Sequence, residues 1–213
     1  MFLSVTILAL LSAEPCTLSG KIELTRAGKS VDPGGIVAVY VEKVRANAFR
    51  TVNKTHQIVQ SDTQFRPKVL VLLKGDSVEF TNNDKWEHSV FAPSTANAFE
   101  FSASKRGLTG VKTFLFPGKV RIQCDIHKKM RADVLVASNP FFALADAGGA
   151  WKISGLPSGD YTLVAWEPNG KESRVSVTNC TGPTAVTLPV LEEAPPPKLN
   201  RKLGGDYGEY QNW

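Results

Sequence analysis

The chain has 213 residues, 42% of them apolar and 21% charged, which excludes a polypeptide disordered throughout. Its 25 Lys and Arg against 20 Asp and Glu leave a formal charge of +5, scattered along the chain and without a nucleic-acid motif, so no nucleic-acid partner is expected. With 13 Pro, 17 Gly and little helical periodicity, the composition predicts an all-β chain of short strands joined by turns.

Residues 1–13 run through Ile7-Leu8-Ala9-Leu10-Leu11 to Ser12-Ala13, an uncharged apolar stretch ending in small residues, which is the layout of a signal peptide. No Lys or Arg precedes it, and a buried N-terminal strand is the competing reading. Glu14 and Pro15 stop the run well short of the roughly 20 apolar residues of a membrane span, and stable membrane insertion is not expected. Strands are predicted around Ile22 and Leu24 and over 36–41, the latter after the turn Asp32-Pro33-Gly34-Gly35. A polar stretch follows, and then strands over 69–73 and 78–80 flank the turn Lys74-Gly75-Asp76. Further strands are predicted over 111–116, 120–124, 151–153, 161–166, 174–177 and 184–188. Residues 192–213 begin with Glu192-Glu193-Ala194-Pro195-Pro196-Pro197 and read as an extended linker and disordered tail.

Three cysteines in an exported chain leave at least one unpaired. Cys124 sits among metal-ligand residue types, whereas Cys16 and Cys180 stand alone near the ends of the folded region, so a Cys16–Cys180 disulfide is predicted, with two inert thiols as the alternative.

Chemistry concentrates in Cys124-Asp125-Ile126-His127-Lys128-Lys129-Met130, a Cys-x-x-His-x-x-Met segment, with a second histidine upstream at His88. A thiolate, two imidazoles and a thioether suit copper in both oxidation states, because sulfur favours Cu(I) while imidazole also serves Cu(II). Zinc fits less well, since Met is a poor zinc ligand, and haem attachment lacks the Cys-x-x-Cys-His arrangement. His56 lies outside the pattern and is assigned no ligand role.

The stretch 55–137 resembles a cupredoxin, the Greek-key β-sandwich of plastocyanin, pseudoazurin and amicyanin. The resemblance rests on Phe65-Arg66-Pro67, Gly75-Asp76-Ser77-Val78-Glu79-Phe80, Thr81-Asn82-Asn83-Asp84, His88-Ser89-Val90-Phe91, residues 114–118 and the Cys124 loop, all in the family's order. It implies His88, Cys124 and His127 as in-plane ligands of one type 1 copper ion and Met130 as the long axial ligand, with Asn82, Asn83 and Ser89 around them. Two positions depart from the family: Ser89 replaces the usual Asn after the first ligand His, removing an amide that stiffens the Cys loop, and Gln123 replaces an aromatic residue.

The implied function is single-electron transfer by an exported, periplasmic or secreted protein, with no substrate turnover. Lys128, Lys129 and Arg131 fall beside the ligand histidine through which the family passes electrons, implying a redox partner that is acidic at its docking face. Copper storage or delivery, and a binding or adhesion module with a structural metal, are the alternatives. The flanking strands resemble the Ig-like sandwich of carboxypeptidase regulatory or Cna-B modules, through Asp146-Ala147-Gly148-Gly149-Ala150-Trp151 and Leu156-Pro157-Ser158-Gly159-Asp160-Tyr161. Neither flank alone has enough strands for a stable sandwich, so the expected organisation is a discontinuous sandwich of 17–54 and 138–191 interrupted by the copper domain 55–137. The simpler alternative is two strands on the edge of the copper domain and a separate C-terminal sandwich.

Overall fold

The computed structural model describes residues 15–45, 49–50, 52–170 and 172–192, so the expected signal segment 1–13 and the tail from residue 193 onward lie outside the described residues. Among the described residues every regular element is a strand and none is a helix, as the composition predicts. No helix among them is therefore long and apolar enough to cross a membrane.

The central segment forms two sheets of its own. In one, β11 (Gly107–Thr113), β8 (Ser77–Asn82), β5 (Thr55–Ser61) and β6 (Gln64–Arg66) lie side by side in that order. In the other, the order is β10 (Phe99–Ser104), β9 (His88–Ala92), β12 (Gly118–Gln123), β13 (Arg131–Ala137) and β7 (Val69–Leu73). Strand β8 shows why these sequences fold as strands: its burial alternates strictly, turning Val78, Phe80 and Asn82 inward and Ser77, Glu79 and Thr81 outward. The inward sides of the two sheets meet over Ile58, Phe65, Leu72, Phe80, Phe114, Ile122 and Val134, a core that also takes in Cys124 and Met130.

The two outer segments build three further sheets together. Strand β1 (Cys16–Lys21) lies between β15 (Ala150–Leu156) and β18 (Pro183–Thr187); β2 (Leu24–Arg26) lies between β3 (Lys29–Val31) and β19 (Leu191–Glu192). The last sheet runs β14 (Phe142–Leu144), β4 (Ala38–Val41), β16 (Gly159–Trp166) and β17 (Ser173–Cys180). A separate core holds these sheets together, containing Leu18, Ile22, Val39, Trp151, Leu156 and Leu163. The turn over 146–149 is where glycine is required: Gly149 has φ of +90°, and a Cβ there would meet the Ile22 carbonyl oxygen at 2.1 Å.

Cys16 and Cys180 form the expected disulfide, with their Cα atoms 5.5 Å apart. It joins the start of β1 to the end of β17 and closes a loop spanning 164 positions in sequence. Replacing both cysteines by Ser is expected to lower the unfolding free energy by about 2–4 kcal/mol, measured by denaturant titration of the full chain.

Strand β13 lies outside the predicted strands, although five of its seven residues are apolar. Its burial is nearly continuous because both faces are covered. Ala132, Val134 and Val136 face the central core, while Leu135 and Ala137 pack with Val69 and Val71 against Ala38 and Trp166 of the outer sheets. Polar contacts fasten the same junction. The Arg121 guanidinium donates to Asp133 at 2.8 Å and to the Pro168 carbonyl at 2.9 Å, and Lys119 pairs with Glu172.

The expected strand over 111–116 ends early, at Thr113. The chain leaves β11 because Phe114 turns into the core and bonds the turn at Gly75 and Asp76, donating to the Asp76 carbonyl and accepting from the Gly75 N–H. Asp76 is the hub of this corner. Its buried carboxylate accepts the N–H groups of Lys54 and Leu73 and the Nε2 of His56 at 2.8 Å, which gives His56 its structural role. Burial pushes the Asp76 carboxyl up, but the His56 and backbone hydrogen bonds outweigh it and leave it below the ordinary carboxylate range. A carboxyl lowered by folding contributes stability that is present above its unfolded pKa, near 4, and is lost as pH falls through the lower folded value. The denaturation midpoint is therefore expected to drop as pH falls below about 4, and Asp76→Asn to flatten that drop.

Candidate metal centre

The Cys124 loop follows β12 and closes on itself before β13 begins. The Met130 N–H donates to the His127 carbonyl at 2.8 Å, and the Met130 carbonyl accepts the Cys124 N–H at 3.3 Å. This short closed loop holds Cys124 and His127 at the end of the central sandwich. His88 opens the neighbouring strand β9, which meets β12 where Phe91 pairs with Gln123.

Three of the four expected ligands converge. One donor atom from each of His88, Cys124 and His127 lies within 4.8 Å of the others. The two Nδ1 atoms of His88 and His127 are 3.0 Å apart, close enough for both to reach one ion at the roughly 2 Å typical of metal–imidazole bonds. His88 and Cys124 are almost fully buried, and His127 is partly exposed. Met130 is 1% exposed and packs in the same apolar cluster as Cys124.

Sequence reasoning missed the residue that orients His88. Asp84 Oδ2 accepts the His88 Nε2 at 2.9 Å. With Nε2 as the donor, Nδ1 of the neutral ring carries the lone pair and points at His127, the arrangement a metal ligand needs. Asp84 is itself held by the two-residue turn between β5 and β6, where Asp62 and Thr63 have φ of 54° and 55°. Their N–H groups donate to the Asp84 carboxylate at 2.8 and 2.9 Å. Burial pushes the Asp84 carboxyl up, but these bonds and His88 outweigh it, so the group is held below the ordinary range and stays ionised.

Ser89 does more than its replacement of Asn suggested. Its hydroxyl oxygen accepts the Asp125 N–H at 2.9 Å and lies 3.9 Å from the Cys124 sulfur, so the loop remains tied without the amide. Asn82 is buried one step further out: its amide donates to the carbonyls of Trp86 and Ser104, and its oxygen accepts the Asp84 N–H. Asn83 is exposed, bonding through its backbone to Gln60, and is not brought to the ligands. Lys128 and Lys129 are exposed beside His127, whereas Lys129 and Arg131 also line a cleft facing the outer sheets.

No protein-family model matches the chain, and no curated protein matches it. Among solved structures, a purple cupredoxin from Nitrosopumilus maritimus is similar at 19% identity and a TM-score of 0.35, over 38% of this chain and 99% of that one. A reduced amicyanin variant is similar at 19% identity and a TM-score of 0.37, over 46% of this chain and 97% of that one. An oxidised amicyanin variant gives the same values. What this site can do follows from its own donors: a buried thiol and two imidazole nitrogens, one of them set by a carboxylate, fit a soft-to-borderline transition metal.

Proposed function

We propose that the chain binds a single copper ion through His88, Cys124 and His127, with the Met130 thioether as a weaker fourth donor, and carries single electrons between redox proteins in an oxidising compartment. The observation that carries this reading is the convergence of the buried Cys124 thiol with two imidazole nitrogens 3.0 Å apart. Copper, when bound, supplies a reversible one-electron change. The chain's part is to keep its donors still. The closed loop from Cys124 to Met130 restrains the thiolate and His127, while Asp84 fixes the His88 ring, so little has to move as charge arrives or leaves. His88 and Cys124 are sealed by the core, which favours a carrier over an enzyme, and His127 is the ligand that reaches the surface.

The exposed Ile126 and Lys128 flank His127 and form the docking face, suited to an acidic partner. The disulfide supports a periplasmic or extracellular location. The outer sheets serve as an Ig-like mount for the copper unit. Titration of the copper-free full chain with Cu(II) is expected to saturate at one equivalent, with intense visible absorption from sulfur-to-copper charge transfer and a reversible reduction potential. Electron exchange with an acidic redox protein is expected to slow as ionic strength rises. Colourless binding, or Cu(I) that exchanges readily among several equivalents, would overturn the electron-carrier reading in favour of a structural metal or of copper delivery.

A further inference from the structure

The metal loop is the tip of a hairpin whose legs are β12 and β13. Their register pairs Gln123 with Arg131 at the base of the loop, then Ile122 with Ala132, then Arg121 with Asp133. Alternation divides the two faces of this hairpin. Val120, Ile122, Ala132 and Val134 enter the central core, while Lys119, Arg121, Asp133 and Leu135 turn toward the outer sheets. The side chains of Arg121 and Asp133 are 9% and 10% exposed and bond at 2.8 Å. The guanidinium reaches further, donating to the Pro168 carbonyl at 2.9 Å and to the Asn169 Oδ1 at 3.3 Å. The turn that receives it is closed on itself: the Gly170 N–H donates to the Glu167 carbonyl, and the Glu167 carboxylate accepts the Asn169 N–H and side-chain amide. The charge of Arg131, next to Met130, acts on the same Asp133 carboxylate.

A buried ion pair adds little net stability over apolar side chains of similar size, because desolvation offsets the attraction. What a guanidinium provides is direction, since its planar fork fixes several acceptors at once. Here the acceptors lie on the opposite leg of the hairpin and on a closed turn of the outer sheets. Arg121 stands three positions before Cys124, and Asp133 three after Met130, so the fork grips both legs close to the loop. We infer that Arg121 is a positioning residue for the metal centre, a clamp through which the 167–170 turn of the outer sheets holds the Cys124–Met130 loop in place. Its functional consequence rests on the copper reading and deepens it: the outer sheets stiffen the segment that carries Cys124 and His127 as well as mounting the copper unit.

The test compares the full chain with the double variant Arg121→Met, Asp133→Leu, which removes the clamp without leaving a buried charge unpaired. Its denaturation midpoint is expected to match or exceed that of the parent chain. In the copper-free chain, hydrogen exchange at the Cys124 and Met130 N–H groups, which close the loop, is expected to quicken by roughly tenfold while the Phe80 N–H on β8 keeps its rate. In the copper-loaded chain, release of the ion to a chelator is expected to quicken by a similar factor. Arg121→Lys keeps the charge beside Asp133 but lacks the fork; it is expected to give a smaller acceleration at the same two N–H groups, and it supplies the comparison in case the double variant does not fold. Unchanged exchange at Cys124 and Met130, or an equal acceleration at Phe80, overturns the clamp, and so does copper release from a loaded variant at the parent's rate. Failure of the parent chain to bind copper overturns the metal reading alone, because the exchange comparison needs no metal.

Discussion

Replacing Cys124 by Ser is expected to abolish the visible colour of the copper-loaded chain and to weaken Cu(I) binding by several orders of magnitude, more than any other single change at the site. The colour arises from charge transfer out of a thiolate, and a hydroxyl oxygen has neither the high-energy electron pair nor the softness to replace it. The fold should tolerate the change. Cys124 is 3% exposed at the rim of the core, next to the Ser89 hydroxyl, so a serine there can share a hydrogen bond with a group already in place. Absorption and paramagnetic resonance of the loaded variant, alongside its denaturation midpoint, separate loss of the site from loss of the fold. A variant that kept the intense absorption would remove Cys124 from the copper coordination sphere.

Asp84→Asn is expected to lower copper affinity by about 10–100-fold while leaving every proposed ligand in place. The carboxylate accepts three donors, the N–H groups of Asp62 and Thr63 and the His88 Nε2. An amide has only one acceptor oxygen, so in either orientation its NH2 confronts at least one of those donors. Either the turn between β5 and β6 shifts or the His88 ring turns away, and both unsettle the Nδ1 that faces His127. The variant also withdraws a negative charge from the ring, which makes His88 a poorer electron donor and favours the reduced ion. Competition titrations with a chelator of known affinity measure the loss, and voltammetry should show the potential moving upward. Unchanged affinity and potential would reduce Asp84 to a structural support of the turn.

These two residues also mark how far the site could be read without a structure. The Cys124 to Met130 segment was legible because its candidate donors lie within one short loop, where spacing alone restricts geometry. His88 was legible through its resemblance to cupredoxin sequences and not through spacing, since nothing in a linear sequence states how close a residue on β9 comes to a loop after β12. Asp84 was visible in the motif but had no assignable role: its function depends on two backbone N–H groups whose direction is set by positive φ values in a turn more than twenty positions upstream. Ser89 was read as a loss because its residue type was compared with Asn, whereas the hydroxyl sits where it reaches both the Asp125 N–H and the Cys124 sulfur.

By itself the sequence carried the all-β class, about half of the strands, the disulfide as one of two open readings of its cysteines, and the loop holding Cys124 and His127. Each of these rests on alternation, turn chemistry or residue type, which act over a few positions or by elimination. Only the tertiary structure decided that β13 is covered on both faces, that Asp76 and Asp84 anchor corners of the central sandwich, and that Arg121 reaches the Pro168 carbonyl of the outer sheets. The reason is physical: burial, carboxylate pairing and hydrogen bonds across a junction depend on which surfaces pack together, and the local pattern of residues carries no record of that contact until the chain has closed on itself.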